Sequence, residues 1–221
     1  MEKLQIIGRE AEIHSLENAF HSSSPEFLAI YGRRRVGKTY LISTFFSAKP
    51  CLFFQSVGIR NGKFSDQIKQ FSQEISRVFY PGAELAPKSN WMDVFDQLQQ
   101  AIAAASASKI VLFLDELPWM ATPKSGLLEA IEFFWNRYGS KDPRIVFIIC
   151  GSSASWILEN VINNQEGLYN RVTRPLKLSP FTLHETEIYL QARGCSYPQK
   201  QIMDIYLALG GIPFLFKLLR S

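Results

Sequence analysis

Three cysteines in 221 residues, Cys51, Cys150 and Cys195, lie far apart and are odd in number. That count argues against a disulfide framework, and their spacing is not that of a metal site. Cys51 and Cys150 fall in apolar strand-like runs and read as small core residues. Histidine is as scarce: His14, His21 and His184 share no metal-ligand spacing and read as surface residues. No apolar run approaches the roughly 18–20 residues of a membrane span, which excludes a membrane partner of that kind. Met1-Glu2-Lys3-Leu4 lacks signal-peptide architecture, so the expected location is the cytoplasm. Internal repeats and low-complexity segments are missing. Strong charge is missing too: the net charge is +4, and much of the local excess is the single run Arg33-Arg34-Arg35. Without a basic groove or an aromatic-basic module, charge does not argue for direct nucleic-acid recognition. What remains is ample apolar material, 47% hydrophobic and 13% aromatic, enough for one α/β domain or a core with a small appendage.

Within that material one stretch stands out. Gly32-Arg33-Arg34-Arg35-Val36-Gly37-Lys38-Thr39 is a complete G-x-x-x-x-G-K-[ST] phosphate-binding loop. Phe27–Tyr31 before it reads as a buried strand, and a helix opens at Lys38 and runs through Tyr40 and beyond. The glycines let the backbone turn so that successive N–H groups face phosphate oxygens. The helix start adds the positive end of its dipole. Lys38 is expected to reach the β- and γ-phosphates of ATP, and the Thr39 hydroxyl to ligate Mg²⁺. Arg33, Arg34, Arg35 and Val36 occupy the variable positions, where the backbone cradles phosphate and the side chains point away.

A second run completes the pattern. Lys109-Ile110-Val111-Leu112-Phe113-Leu114-Asp115-Glu116 is apolar up to two terminal carboxylates, as in a strand buried on both faces. Asp115 is the candidate Mg²⁺ holder, and Glu116 the candidate general base that polarises the attacking water. Ser152 and Ser153 follow the strand Ile145–Cys150, at the sheet edge where ligands bind in open α/β folds. There Ser152 is a candidate γ-phosphate sensor or water-orienting group, and a serine-rich helix cap before Trp156 is the plainer reading of the same residues. Arg171, ahead of a fifth strand Thr173–Leu178, and Arg174, at its start, are the candidate transition-state cations.

The elements alternate as a doubly wound sheet requires. Helices are expected over Glu10–Phe20, along the stripe Phe64, Ile68, Phe71, Ile75, Phe79, and from Trp91 under an Asn90/Asp93 cap. Another is expected from Leu127 to Tyr138. Cys51–Gln55 reads as a strand, and Pro81-Gly82 with Ala83–Ser89 as a loop. After Ser179 the pattern is all-helical. Thr182-Leu183-His184-Glu185 is a capping box, Gly194 is a stop, and a helix spans Pro198–Leu209. Pro213, after the Gly210-Gly211-Ile212 turn, is a first helical residue. The boundary between a core of residues 1–180 and a helical lid of 181–221 is expected near Pro180.

Taken in order, Ile6-Ile7-Gly8-Arg9-Glu10, the loop Tyr31–Thr39, Leu114-Asp115-Glu116-Leu117-Pro118-Trp119, Gly151-Ser152-Ser153, Leu168-Tyr169-Asn170-Arg171 and Gly210-Gly211-Ile212-Pro213 form a series. The series resembles the signature motifs of the archaeal-type ATPases, a branch of the signal-transduction (STAND) P-loop ATPases related to AAA+ proteins. The resemblance covers nearly the whole chain. It implies a P-loop three-layer sandwich with sheet order 5-1-4-3-2 and a helical lid. It also implies that Ile7, Gly8 and Arg9 lie near the adenine and that Pro213 closes over the nucleotide. The family often has glycine where this chain has Asn170, which bears on Arg171. It usually continues into a winged-helix segment and a nuclease-like effector domain, whereas this chain stops at Ser221, so a truncated or shortened chain is expected.

The function implied is an ATPase that binds ATP and Mg²⁺ and releases ADP and phosphate, as a regulatory or signalling module. Two alternatives stay open: a nucleotide-gated switch or scaffold with negligible turnover, and the ATPase part of a DNA-associated or defence system. Homo-oligomerisation, DNA and an effector domain are the partners left open.

Overall fold

A computed structural model describes residues 6–83, 85–86, 88–164, 167–168 and 170–217. The segment Met1–Leu4, Tyr169 of the motif series and the terminal Ser221 lie outside the described residues. The core is a five-stranded parallel sheet, β1 (Glu26–Tyr31), β2 (Leu52–Val57), β3 (Ile110–Asp115), β4 (Ile145–Gly151) and β5 (Arg174–Lys177), in the order β2-β3-β4-β1-β5. Read from the other edge this is the expected 5-1-4-3-2. The central strands β1, β3 and β4 are buried almost throughout, which is why their sequences read as unbroken apolar runs rather than alternating ones.

The two faces carry separate cores. On one, Phe27, Phe54, Leu112, Phe147 and Ile149 meet α3 (Phe64–Phe79), α4 (Trp91–Ala104) and α6 (Leu127–Arg137). Phe27, Phe134, Trp135 and Phe147 form one contiguous aromatic cluster there, with Phe27 and Phe147 edge to face at 4.9 Å. On the other face Leu28, Ile30, Phe113 and Ile148 pack against α1 (Glu10–Phe20) and α2 (Lys38–Ser47). The layers are thus helix, sheet, helix.

Sequence expectations for these helices hold closely. The Asn90 side chain accepts from the Asp93 N–H at 2.9 Å and starts α4. Thr182 and Glu185 form the reciprocal cap of α8 (Leu183–Ala192). After it come α9 (Gln199–Leu209) and α10 (Pro213–Phe216), and α8–α10 gather around a cluster of Phe181, Tyr189, Leu190, Cys195, Ile202 and Phe216. Three features were not legible. A four-residue helix α5 (Leu117–Met120) follows β3, since Pro118 suits a first turn as well as a chain break. A short helix α7 (Ala154–Ile157) passes into a π-helical stretch, Leu158–Ile162, closed by Asn163 N–H donating to Leu158 O at 2.8 Å. Gly139–Lys141 is a 3₁₀ turn.

Arg174 departs from its expected place. It sits at the amino end of β5 and forms a two-pronged ion pair with Glu26, at 3.1 and 2.9 Å, at the amino end of β1. β1 is six residues long, so this pair stands about 17 Å from the phosphate loop at the strand's other end. Arg174 is therefore a structural partner, not a catalytic cation. Burial opposes ionisation of Glu26, but hydrogen bonds from Arg174 and Thr173 outweigh it and hold the carboxyl below its ordinary 4.5. A lowered carboxyl stabilises the fold above the unfolded value and ceases to do so as pH falls through the folded one. Arg174→Ala should cost about 1–2 kcal/mol at pH 7, since the pair is partly open to solvent. The gap in melting temperature between wild type and variant should narrow once pH falls below 4.5.

Candidate nucleotide site

The parallel pairing of β1, β4 and β3 sets three chain segments side by side at the carboxyl edge of the sheet. β1 delivers the loop 32–39, β3 delivers Asp115-Glu116, and β4 delivers Gly151-Ser152. The loop's first glycine is there for a close approach. A Cβ on Gly32 would lie 2.2 Å from the Leu178 carbonyl oxygen, so no larger residue fits beside the end of β5. At Gly37, with φ of 97°, the space a side chain would occupy is open.

Lys38 is 5% exposed, and its Nζ donates to Gly32 O at 2.9 Å and Arg33 O at 3.0 Å, folding the ammonium back over the loop. Thr39 Oγ1 donates to Asp115 Oδ2 at 2.6 Å, while Glu116 N–H donates to Asp115 Oδ1 at 2.9 Å. Asp115 is 2% exposed. Burial raises its pKa, against opposing hydrogen bonds from Thr39 and Cys150. This is an all-oxygen donor pair, a hydroxyl beside a buried carboxylate to which, among the described residues, no protein cation is bonded. It suits Mg²⁺, which takes one or two protein oxygens and completes its shell from phosphate and water. Among the described residues no three carboxylate, histidine or cysteine groups converge as a self-sufficient metal cage.

Glu116 has left-handed backbone geometry, φ 50° and ψ 48°. A non-glycine residue held there is a strained one, of the kind that clusters at functional sites. Ser152 holds its carboxylate twice: the Ser152 N–H at 3.0 Å and Oγ at 2.8 Å both donate to Glu116 Oε2. Lys38, Thr39, Asp115, Glu116 and Ser152 are thus brought together on one edge. Ser153 stands at the N-cap position of α7 without a side-chain capping bond, and Ser152 lies against Glu116.

The amino-terminal motif reaches the loop by a route that spacing did not reveal. Arg9, 5% exposed and with φ of 65°, donates from Nη2 to Val36 O at 3.1 Å, and its guanidinium lies 4.6 Å over the Phe181 ring. Its backbone N–H donates to Glu185 Oε1 at 3.1 Å, and a Cβ on Gly8 would clash with that same side chain. Ile7 packs on the helical cluster of α8–α10. Pro213 opens α10, and its neighbour Phe214 lies under the Arg35 guanidinium at 4.5 Å. Arg34 lies over Trp119 at 5.4 Å, and Arg33 is exposed, so all three loop arginines turn outward as expected. Tyr40 is half exposed on α2. Gln67, which sequence reading left within an apolar stripe, ties Ile59 to the Trp119 carbonyl through its buried amide. Its signal was a glutamine on the buried face of an amphipathic helix.

Arg171 is the residue the fold does not bring to this edge. Thr173 N–H, two positions on, donates to Phe27 O, which places the segment toward the amino end of β1. Among the described residues Arg171 Nε is buried without a hydrogen-bond partner. The segment enters β5 from the end of the sheet opposite the phosphate loop and Asp115-Glu116. A cleft of about 1000 Å³ between α3 and the 82–89 segment is also remote, as no loop or Asp115-Glu116 residue lines it.

Residues 6–219 match the family described as an ATPase domain predominantly from Archaea. The chain is 28% identical over 209 residues to an uncharacterised protein of Methanocaldococcus jannaschii, covering 94% of this chain and 42% of that one. Its fold is similar to the Walker-type ATPase PABY2304 of Pyrococcus abyssi, with a TM-score of 0.65 at 19% identity over 95% of this chain and 65% of that one. It is also similar to a STAND protein with a tetratricopeptide repeat sensor, PH0952 from Pyrococcus horikoshii, with a TM-score of 0.57 at 16% identity over 97% and 29%. The chain thus spans less than two thirds of the length of each.

Glu185 gives this region its test. It caps α8 through Thr182 N–H and binds Arg9 N–H at once. Glu185→Ala should cost about 1 kcal/mol. Hydrogen exchange should show faster exchange at the Thr182 and Arg9 amides while amides of β1 and β3 stay protected.

Proposed function

Because the chain belongs to the family of ATPase domains predominantly from Archaea, we propose that it binds ATP at residues 32–39 and hydrolyses the β–γ bond with Mg²⁺, as a regulatory module. The observation carrying this reading is the convergence of Lys38, Thr39, Asp115 and Glu116 on one sheet edge. Loop amides and Lys38 neutralise phosphate charge, and Lys38 exchanges its two loop carbonyls for phosphate oxygens. Thr39 and Asp115 would hold Mg²⁺, which would supply charge stabilisation at the phosphates. Ser152 pins Oε2 of Glu116, and Oε1, which has no protein hydrogen bond among the described residues, accepts the proton from the attacking water. Water oxygen bonds to the γ-phosphorus as the bond to the β–γ bridging oxygen breaks, releasing ADP and phosphate. We take residues 1–180 as the ATPase core and 181–221 as the lid, a division supported by the lid's own apolar cluster. Arg9, Ile7 and Gly8, which touch the α8–α10 segment, and Pro213, which opens α10, are assigned to the adenine side.

A switch with negligible turnover is the second reading, favoured by the two hydrogen bonds already engaging Glu116. One set of measurements separates them. At a nucleotide concentration about 100 times Kd, Mg-ATP should stabilise the fold by about 2.7 kcal/mol, raising Tm by roughly 5–10 °C. Lys38→Ala should lose most of that shift, and an unshifted wild-type melt would sink the nucleotide reading. Glu116→Gln should keep the shift while lowering turnover by about 10²–10⁴. Equal rates for wild type and Glu116→Gln would instead remove Glu116 as the base.

Arg171, at the far end of the sheet, we assign to a neighbouring copy's site. Arginines supplied in trans contribute about 10³–10⁵ in phosphoryl transfer. Turnover per protomer should therefore be low when dilute and rise with protein concentration in wild type but not in Arg171→Ala. A dilute monomer that is fast and indifferent to Arg171→Ala would overturn the assignment.

A further inference from the structure

We propose that Gln67 is a positioning residue for Glu116: its buried amide clasps the one-turn helix α5 to the turn that follows β2 and so holds Glu116 in its left-handed backbone conformation. The inference rests on the ATPase reading above and adds to it a residue that acts only through the base. Two peptide groups fix the φ and ψ of Glu116, and each is held by a different segment. Before it, Asp115 O accepts the Gly58 N–H at 2.9 Å, from the turn after β2. After it, Glu116 O accepts the Trp119 N–H at 2.8 Å, from α5. A strained conformation persists only where its surroundings over-determine it. The two anchoring segments must therefore be fixed to each other, and Gln67 joins them.

Gln67 projects from α3 and is 1% exposed. Its Nε2 donates to Ile59 O at 2.7 Å and to Trp119 O at 3.0 Å, while its Oε1 accepts the Ile59 N–H at 3.0 Å. Two donors and one acceptor are what a primary amide supplies and a carboxylate does not. Trp119 O lies in the last turn of α5, where carbonyls lack helical partners, and a four-residue helix has too few bonds of its own to keep its place. Two glycines make room for the clasp. A Cβ on Gly62 would lie 2.9 Å from Gln67 Nε2, and a Cβ on Gly58 would lie 2.5 Å from Glu116 O. The Trp119 ring also lies under the guanidinium of Arg34, so α5 meets the phosphate loop as well. Without the amide, the Ile59 and Trp119 carbonyls lose a buried partner and α5 comes away from the turn. Glu116 then relaxes toward an ordinary conformation, which carries its carboxylate off Ser152.

An effect that runs through Glu116 must vanish when Glu116 is no longer a base. Gln67→Met keeps the volume and loses the amide. Its single-turnover hydrolysis of Mg-ATP should fall roughly 10- to 100-fold below wild type, the cost of displacing a reacting group by about 1 Å. Its equilibrium affinity for ATP should stay within about twofold of wild type, because the phosphate loop is untouched. In a Glu116→Gln background, adding Gln67→Met should lower the rate no further. Without nucleotide, hydrogen exchange should quicken at the Gly58 and Trp119 amides of Gln67→Met while β1 and β3 stay protected. An equal fall in both backgrounds, or an affinity loss that matches the rate loss, would show general loosening and overturn the proposal. So would a variant as fast as wild type, or unchanged exchange at those two amides. If Gln67→Met melts early, Gly62→Ala, which presses a methyl group on the same amide, carries the same comparison. Wild type that binds no ATP would remove the nucleotide reading itself. Wild type that binds ATP without hydrolysing it would leave that binding intact and overturn the role of Gln67.

Discussion

Parallel pairing of β1, β4 and β3 is the constraint on which everything at the site depends. These strands are buried on both faces, so their backbone groups have no alternative partner in water and must pair with each other. Once they pair in parallel, all their carboxyl ends lie on one edge. The phosphate loop, Asp115-Glu116 and Ser152 are then neighbours although more than a hundred residues separate the first from the last. The close approach of Leu178 to Gly32 tightens the same edge from the β5 side.

Charge is handled differently at the two ends of the sheet. At the amino end Glu26 meets Arg174 in a paired, hydrogen-bonded contact that needs nothing further. At the carboxyl end Asp115 is buried with hydroxyl and amide donors and, among the described residues, no bonded protein cation, and Lys38 is occupied with loop carbonyls. A buried carboxylate left in that state has unmet electrostatic demand. The same fold thus satisfies one acid internally and leaves the other suited to an external cation.

The amino-terminal segment, loop and carboxyl-terminal helices are joined by polar contacts as well as apolar ones: Ile6, Val36, Ile212 and Leu215 belong to one cluster, and Ile7 packs on that of α8–α10. Arg9 touches Val36 on one side and Phe181 with Glu185 on the other, and Arg35 rests on Phe214. Gly211 approaches so near Phe181 that a Cβ would lie 2.2 Å from its carbonyl oxygen.

Much of this was legible in the chain itself. Period and capping residues placed α1, α3, α4 and α8 closely, because local backbone chemistry decides where a helix starts. The glycine-lysine-threonine loop and the Asp115-Glu116 strand end named the candidate chemistry, because phosphate and Mg²⁺ demand those residue types at that spacing. Tertiary structure decided what depends on partners distant in sequence. It sent Arg171 and Arg174 toward the amino end of the sheet, since a short β5 must begin beside Phe27 and Glu26. It turned Ser152 onto Glu116, carried Arg9 to Val36, and set Gln67 between Ile59 and Trp119. Composition and periodicity cannot show such pairings, because strand register is set by the packing of whole layers and not by any one strand's residues.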